Sequence, residues 1–283
     1  NSMTDSYPDR QQILDMMAAF MPSCLIGAAA ELDLWSVVDD GSLTASEIAE
    51  RLHADVRATT MLLDALAALR LLAKEAGHYA VPPQLAAWLC EDGNASVLPM
   101  LRHRMNILRG WTQLPWIVKT GEPALRQASI RGADADRAAF VAAMHTVSGP
   151  VADELVARLG PPRFTHLLDV GGASGTWTLA FLRTALNTQA TLFDLPDAIE
   201  QARRRIDGSE FAGRVDLVAG DFYGDPLPAG ADYAWLSAIV HQNSREQNRD
   251  LFAKVHAALT PGGRIGIRDV VMQPDKVQPI EGA

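Results

Sequence analysis

Cysteine is nearly absent from this sequence: Cys24 and Cys90 are the only two in 283 residues, each set in an apolar helical pattern. With no secretion signal ahead of them, they read as buried free thiols in a reducing cytoplasm, not as a disulfide. No cluster of Cys, His, Asp and Glu has the spacing of a metal site, so no metal is expected. Positive charge is also short, with 25 Lys and Arg against 34 Asp and Glu and a net charge of -9. That balance argues against a grip on nucleic acid or on anionic lipid surfaces. Apolar stretches are broken by charge or proline before they reach the ~18 residues of a membrane span, and the N-terminus lacks the order of a signal peptide. Asn1-Ser2-Met3 reads as a cloning remnant ahead of the native start. Internal repeats and low-complexity tracts are missing too. What is present is 48% hydrophobic residues, enough for a packed core in one large or two ordinary domains.

The first part of the chain is helical. Residues 10 to about 38 carry Ile13, Leu14, Met17, Met21, Leu25 and Ala28 three or four apart, the period of a helix. Met16, Met17, Phe20 and Met21 make it apolar over a wide arc, which needs cover and predicts a homodimer. Thr44-Ala45-Ser46-Glu47 has the pattern of a capping box and opens a short helix ending near Leu52. A turn at His53-Ala54-Asp55 leads to a second helix, Val56 to about Leu72, and a hairpin follows around Tyr79-Ala80-Val81. Helix, turn, helix and hairpin suggest a winged-helix module over residues 4–94. DNA binding is a poor reading of it, because Val56–Leu72 offers only Arg57 and Arg70 as bases. Residues 95–160 continue as helices divided by turns at Gly121-Glu122-Pro123 and Arg131-Gly132; the last begins near Pro150 and ends at Gly160-Pro161-Pro162.

From residue 161 the texture changes. Short apolar runs at 166–170, 190–193, 215–219, 231–236 and 264–270 alternate with helical patterns at 175–186, 196–206 and 245–259. This alternation implies an α/β, Rossmann-like, doubly wound parallel sheet over residues 161–283, with ligands at the carboxyl ends of its strands.

Those strand ends carry the candidate site. After the first comes Asp169-Val170-Gly171-Gly172-Ala173-Ser174-Gly175, small residues that admit close backbone approach. The nicotinamide fingerprint fails here, since Ala173 and Thr176 stand where its glycine would. Asp169 in this turn suits S-adenosylmethionine, which has no phosphate and carries cationic ammonium and sulfonium groups, better than a pyrophosphate. The second strand ends in Asp194-Leu195-Pro196, where Asp194 either accepts from ribose hydroxyls or caps the next helix. The third ends in Gly220-Asp221-Phe222, with Asp221 facing an adenine amino group and Phe222 its ring, or else forming a plain turn over a core aromatic. The fourth supplies Ser237 and, just past its end, His241; the fifth ends with Asp269. A carboxylate that fixes a histidine tautomer is the arrangement a general base needs.

Taken together these motifs resemble the S-adenosylmethionine-dependent O-methyltransferases of the plant caffeate and bacterial polyketide type, class I methyltransferases with an N-terminal dimerisation domain. The resemblance covers nearly the whole chain and includes the Pro261-Gly262-Gly263-Arg264 turn. It implies methyl transfer to a hydroxyl of a small acceptor, with S-adenosylhomocysteine as product, His241 as general base and Asp269 as its orienting acid. Phe140, Met144 and Ser148 fall on the helix that lines the acceptor pocket in that family. There are departures: Gln242-Asn243 stand where the family has Asp-Trp, and relatives continue through further strands, so a C-terminal segment is expected to be missing. These departures leave room for a rival, a protein of the same fold that binds S-adenosylmethionine without transferring its methyl group.

Overall fold

The computed structural model describes residues 7–39, 41–90, 95–160, 163–185 and 187–282. The chain divides into two compact units between Ala143 and Met144. The expected remnant Asn1-Ser2-Met3, Leu186, the Pro161-Pro162 stop and the boundary near residue 94 lie outside the described residues.

The first unit holds α1 (Arg10–Ala18), α2 (Phe20–Glu31), α3 (Leu34–Asp39), β1 (Leu43–Thr44), α4 (Ala45–Arg51), α5 (Val56–Ala68), β2 (Ala73–Glu75), β3 (His78–Ala80), α6 (Pro83–Leu89), α7 (Leu98–Trp111) and α8 (Leu114–Thr120). The capping box is formed: the Thr44 hydroxyl accepts from the Glu47 N–H, and the Glu47 carboxylate accepts from the Thr44 N–H. Asp55 caps α5 by accepting from the Ala58 N–H. The short strands pair in the order β1-β3-β2, so the hairpin follows the two helices as expected. Trp35, Ile48, Leu63, Leu66 and Tyr79 close the core.

Four expectations for this part need correction. The single helix over 10–38 is three helices, with breaks at Ala19 and at Asp33, which takes a left-handed φ of 57°; Pro22, which cannot donate to the Ala18 carbonyl, announces the first break, while the second carries neither Gly nor Pro. The second helix stops at Ala68, four residues early, because Arg70 turns left-handed at φ 59°. Cys24 is half-buried, and only Cys90 is buried. The segment Arg10–Glu31 is, by length and composition, long and apolar enough to cross a membrane. Charge and proline were expected to interrupt every apolar stretch before that length, yet Asp15 and Pro22 leave this one apolar enough.

The last helix, α9 (Ala133–Leu159), runs through the boundary between the units. It was expected to begin near Pro150; instead Pro150 sits inside it. A helix tolerates an interior proline at the loss of one backbone hydrogen bond when its packing compensates, and Ala152 and Val156 beyond it are fully buried.

The second unit is β4 (His166–Val170), α10 (Thr176–Thr184), β5 (Gln189–Asp194), α11 (Pro196–Asp207), β6 (Val215–Ala219), β7 (Ala231–Ser237), α12 (Arg245–Ala258) and β8 (Leu259–Arg268). Its sheet is parallel throughout, in the order β6-β5-β4-β7-β8. The order reverses at β4, whose two neighbours lead away in opposite directions, and this is where open α/β sheets form their crevice. One face buries Trp177, Phe181, Tyr233 and Trp235; the other buries Leu168, Val170, Phe193 and Leu236. The final strand starts at Leu259 rather than Arg264, with an irregularity between the Ala231 and Tyr233 pairings. It is an edge strand, and Ile265 and Ile267 stand exposed on it.

In the first unit, α2 and α7 are joined by a buried ion pair. Arg109 reaches both oxygens of Glu31 at 2.5 and 2.6 Å, and Glu31 is 8% exposed. Removing one partner of such a pair strands the other charge in a dry site. Arg109→Ala is therefore expected to lower unfolding stability by about 3 kcal/mol, read as a drop in the urea midpoint. An unchanged midpoint would mean that water already satisfies Glu31.

Candidate active site

The turn after β4 is shaped by what would not fit in it. A Cβ at Gly171 would stand 2.5 Å from Ile239 Cδ1, and one at Gly172 would stand 2.7 Å from Leu192 and 2.9 Å from the Asp169 carboxylate. Gly171 also lies in the left-handed region at φ 70°, which favours glycine. Ala173, at φ 47°, accepts the same region with a methyl group in place. Gly175 precedes α10, whose first N–H groups point into the turn.

Asp169 is 1% exposed and lies beneath Gly172. Its carboxylate accepts from the Thr178 hydroxyl at 2.7 Å, so it braces the turn from below and offers no exposed face. Burial pushes this carboxyl up to about 7; the Thr178 bond pulls it down, and the charge of Asp194 pushes it up again. Asp194 is half-buried at the end of β5. One of its oxygens accepts from the Ala173 N–H and the other from the Leu195 N–H, both at 2.7 Å. Burial raises its pKa while these two backbone bonds oppose the rise. The helix-capping alternative fails, because α11 has Leu195 at its cap position and no side-chain cap at all. Each Asp194 oxygen keeps a second lone pair. Leu195 itself is exposed.

At the end of β6, Gly220 leaves room for the Phe193 ring, which a Cβ would meet at 2.5 Å. Asp221 accepts from the Tyr223 N–H at 2.9 Å, and Asp225 accepts from the Asp221 N–H at 2.8 Å, so the acids of this loop also build its turn. Phe222 is partly buried, and its ring comes within 3.9 Å of where a Gly171 Cβ would stand. The turns after β4, β6 and β7 thus converge: Gly171 has Ile239 and Phe222 as neighbours. Ser237, half-buried at the end of β7, accepts from Arg268 at 3.3 Å.

His241 sits in a short 3-10 turn, Val240–Gln242, just past β7. Its Nδ1 lies 2.7 Å from Asp269 Oδ1, and its backbone N–H donates to Asp269 Oδ2 at 3.1 Å. An ionised carboxylate only accepts, so Nδ1 carries a proton, and in the neutral ring the lone pair falls to Nε2. The imidazole is half exposed while the Asp269 side chain is 11% exposed. Burial opposes ionisation of Asp269, but the bonds from His241 and Val270 outweigh it and hold the carboxyl below its ordinary value.

Phe140, Met144 and Ser148 recur every fourth residue along α9, on one face. Phe140 is exposed and belongs to the first unit, with its ring edge-on to His103 at 5.0 Å; Met144 and Ser148 belong to the second and are half-buried. Sequence reasoning missed Thr178, which anchors Asp169, and Lys254, whose ammonium donates to the carbonyls of Phe222, Tyr223 and Asp225. Neither carries a motif; each matters through a partner brought close by the fold.

A turn with no room for a Cβ at Gly171 or Gly172, a half-buried acid at the next strand end and a histidine on a carboxylate thus stand together at the strand ends of a doubly wound sheet. Residues 105–282 match the O-methyltransferase domain, and residues 14–91 match the O-methyltransferase dimerisation domain. The tetracenomycin polyketide synthesis 8-O-methyl transferase TcmO of Streptomyces glaucescens is 31% identical over 93% of this chain and 79% of its own length. The 3-hydroxy-5-methyl-1-naphthoate 3-O-methyltransferase of Streptomyces sahachiroi is 29% identical over 96% and 80%. Among solved structures, PigF with SAH aligns with a TM-score of 0.82 at 23% identity, covering 96% of this chain and 84% of that one. NcsB1, an O-methyltransferase from neocarzinostatin biosynthesis in complex with S-adenosylmethionine and 2-hydroxy-5-methyl naphthoic acid, aligns at 0.71 and 26% identity, covering 90% and 81%. The chain belongs to the O-methyltransferase family and is a S-adenosylmethionine-dependent O-methyltransferase.

The raised Asp169 carboxyl has a signed consequence for stability. The folded state holds a proton that the unfolded chain, with an ordinary value near ~3.9, has lost. Stability is then full below pH ~4 and falls as pH rises to about 7, beyond which this group adds no further slope. Asp169→Asn should flatten the slope of the melting temperature over that window. A slope of the same size in the variant would assign it to other groups.

Proposed function

We propose that this enzyme methylates a hydroxyl of a small aromatic or polyketide-like molecule, with His241 as the general base. The reading is carried by the His241–Asp269 pair, 2.7 Å apart beside the strand ends. Asp269 keeps the proton on Nδ1, which leaves Nε2 to take the acceptor's hydroxyl proton. When bound, S-adenosylmethionine supplies an electrophilic methyl group. The residues present fit it: Gly171, Gly172 and Gly175 form the backbone cradle, Asp169 braces that cradle, and Asp194 receives the ribose hydroxyls. Leu195, Gly220, Asp221, Phe222 and Ser237 complete the cofactor side, with Phe222 against the adenine. Met144 and Ser148, both in the second unit, line the acceptor. No metal is required, because the acceptor proton has a base to go to and the leaving group departs neutral.

The names of the relatives support an aromatic, polyketide-derived acceptor. The N,N-dimethyltransferase OxyT of Streptomyces rimosus, 30% identical over 93% of this chain and 79% of its own length, shows that nitrogen acceptors occur among similar sequences. A base held by a carboxylate favours the hydroxyl, since a neutral amine attacks without prior loss of its proton.

The enzyme is further proposed to work as a cytoplasmic homodimer. Ile13, Leu14, Met16, Met17, Phe20 and Met21 are all exposed along α1 and the start of α2, and a face this apolar needs cover. The dimerisation-domain match over residues 14–91 supports a second copy as that cover.

His241→Ala is expected to lower turnover roughly 10²- to 10⁴-fold while leaving the affinity for S-adenosylhomocysteine, by titration calorimetry, unchanged. 2-Hydroxy-5-methyl naphthoic acid and 3-hydroxy-5-methyl-1-naphthoate are the acceptors to assay. Asp194→Ala should show the opposite pattern, weaker cofactor binding first. Full turnover by His241→Ala would reduce the histidine to a packing residue. Separately, Met17→Glu with Phe20→Glu should shift the mass by light scattering from dimer to monomer; a monomeric wild-type protein would refute the assembly.

A further inference from the structure

Asn243, two residues after His241 and one of the two departures from the family's Asp-Trp pattern, is tied to the loop after β6 by a chain of hydrogen bonds. The Tyr223 hydroxyl donates to Asn243 Oδ1 at 2.5 Å, Asn243 Nδ2 donates to Asn248 Oδ1 at 3.0 Å, and Asn248 Nδ2 donates to the Val240 carbonyl at 3.0 Å. The Val240 carbonyl can only accept, so Asn248 turns its Nδ2 to it and its Oδ1 to Asn243, which sets the direction of each bond back to the Tyr223 hydroxyl. The two ends are both functional neighbours. Tyr223 follows Phe222, with ring centroids 4.6 Å apart, and Val240 precedes His241.

We infer that Tyr223 and Asn243 are positioning residues, a clasp that ties the adenine-side loop to the turn carrying His241. The inference rests on the proposed role of His241 as base. The turn is a single 3-10 turn and has little stiffness of its own. It is held on one side by Asp269 at the end of β8 and on a second by Asn248 on α12. The Tyr223–Asn243 bond supplies the third tie, to the loop after β6. Lys254 fixes that loop separately, through the carbonyls of Phe222, Tyr223 and Asp225. The Tyr223 hydroxyl is therefore presented from a backbone already pinned to α12. Loss of the clasp removes one tie and leaves the fold standing.

The clasp also states what the asparagine does in place of an aromatic residue. An aromatic side chain there would add surface; Asn243 instead adds one acceptor and one donor, and both are used.

The test uses the whole chain and the variants Tyr223→Phe, Asn243→Ala, their double, and Asn243→Asp, which keeps an acceptor for the Tyr223 hydroxyl. The readout is the His241 ring signal in nitrogen–proton NMR spectra of the free protein, assigned by its loss in His241→Ala. Tyr223→Phe and Asn243→Ala should broaden that signal, the double variant should broaden it no further than Asn243→Ala, and Asn243→Asp should recover part of the sharpness lost in Asn243→Ala. Turnover of 2-hydroxy-5-methyl naphthoic acid should fall roughly 3- to 10-fold, the worth of one exposed hydrogen bond, with the KM for S-adenosylmethionine unchanged. An unaltered His241 signal in both single variants, or additive effects in the double, would overturn the clasp. If calorimetry finds no binding of S-adenosylhomocysteine to the wild-type protein, the reading of the site fails instead, and the NMR result still judges the clasp on its own.

Discussion

Parallel pairing in register is the constraint on which the site depends. The pairs Val170 with Phe193, Asp194 with Ala219, Val170 with Leu236 and Ser237 with Arg268 bring all five strands to an end at one level. Side chains far apart in the sequence thereby become neighbours without any one contact having to draw them together. The backbone ladder also explains why so few residues are needed at the site: the sheet supplies the spacing, and each turn supplies one or two groups.

What holds the turns is a second layer of polar ties. Asp169 takes Thr178, Asp194 takes the amides of Ala173 and Leu195, Lys254 takes three carbonyls, and Asp269 takes both the ring and the amide of His241. Acids thus serve as structural anchors for backbone amides and for the Thr178 hydroxyl. Asp169 shows the division: it is buried below the turn it braces, while Asp194, half-buried above, keeps lone pairs to offer.

The second unit was more legible in the sequence than the first. Buried parallel strands are short apolar runs between turn residues, and those signals located β4 to β8 closely, apart from the early start of β8 at Leu259. The strand ends followed, and with them His241 and Asp269, because the sheet rule needs only order and spacing. Helix ends were harder. Asp33 and Arg70 adopt left-handed conformations without a glycine, and Pro150 sits in a helix it was expected to begin. In each case tertiary packing overrode a local preference. The hydrogen-bonding partners of Thr178, Lys254 and Asn243 were beyond reach for another reason: a pairing across the fold leaves no periodic trace along the chain.

Ala173 carries one more consequence. At φ 47° an alanine sits where its methyl group crowds the following carbonyl, at a cost of about 1–2 kcal/mol. The methyl group favours negative φ, so the turn keeps this shape only because its surroundings hold it, among them the bond from the Ala173 N–H to Asp194 at 2.7 Å. Asp194 thereby keeps a spring wound in the neighbouring turn, and a glycine at 173 would let it run down without moving any other residue.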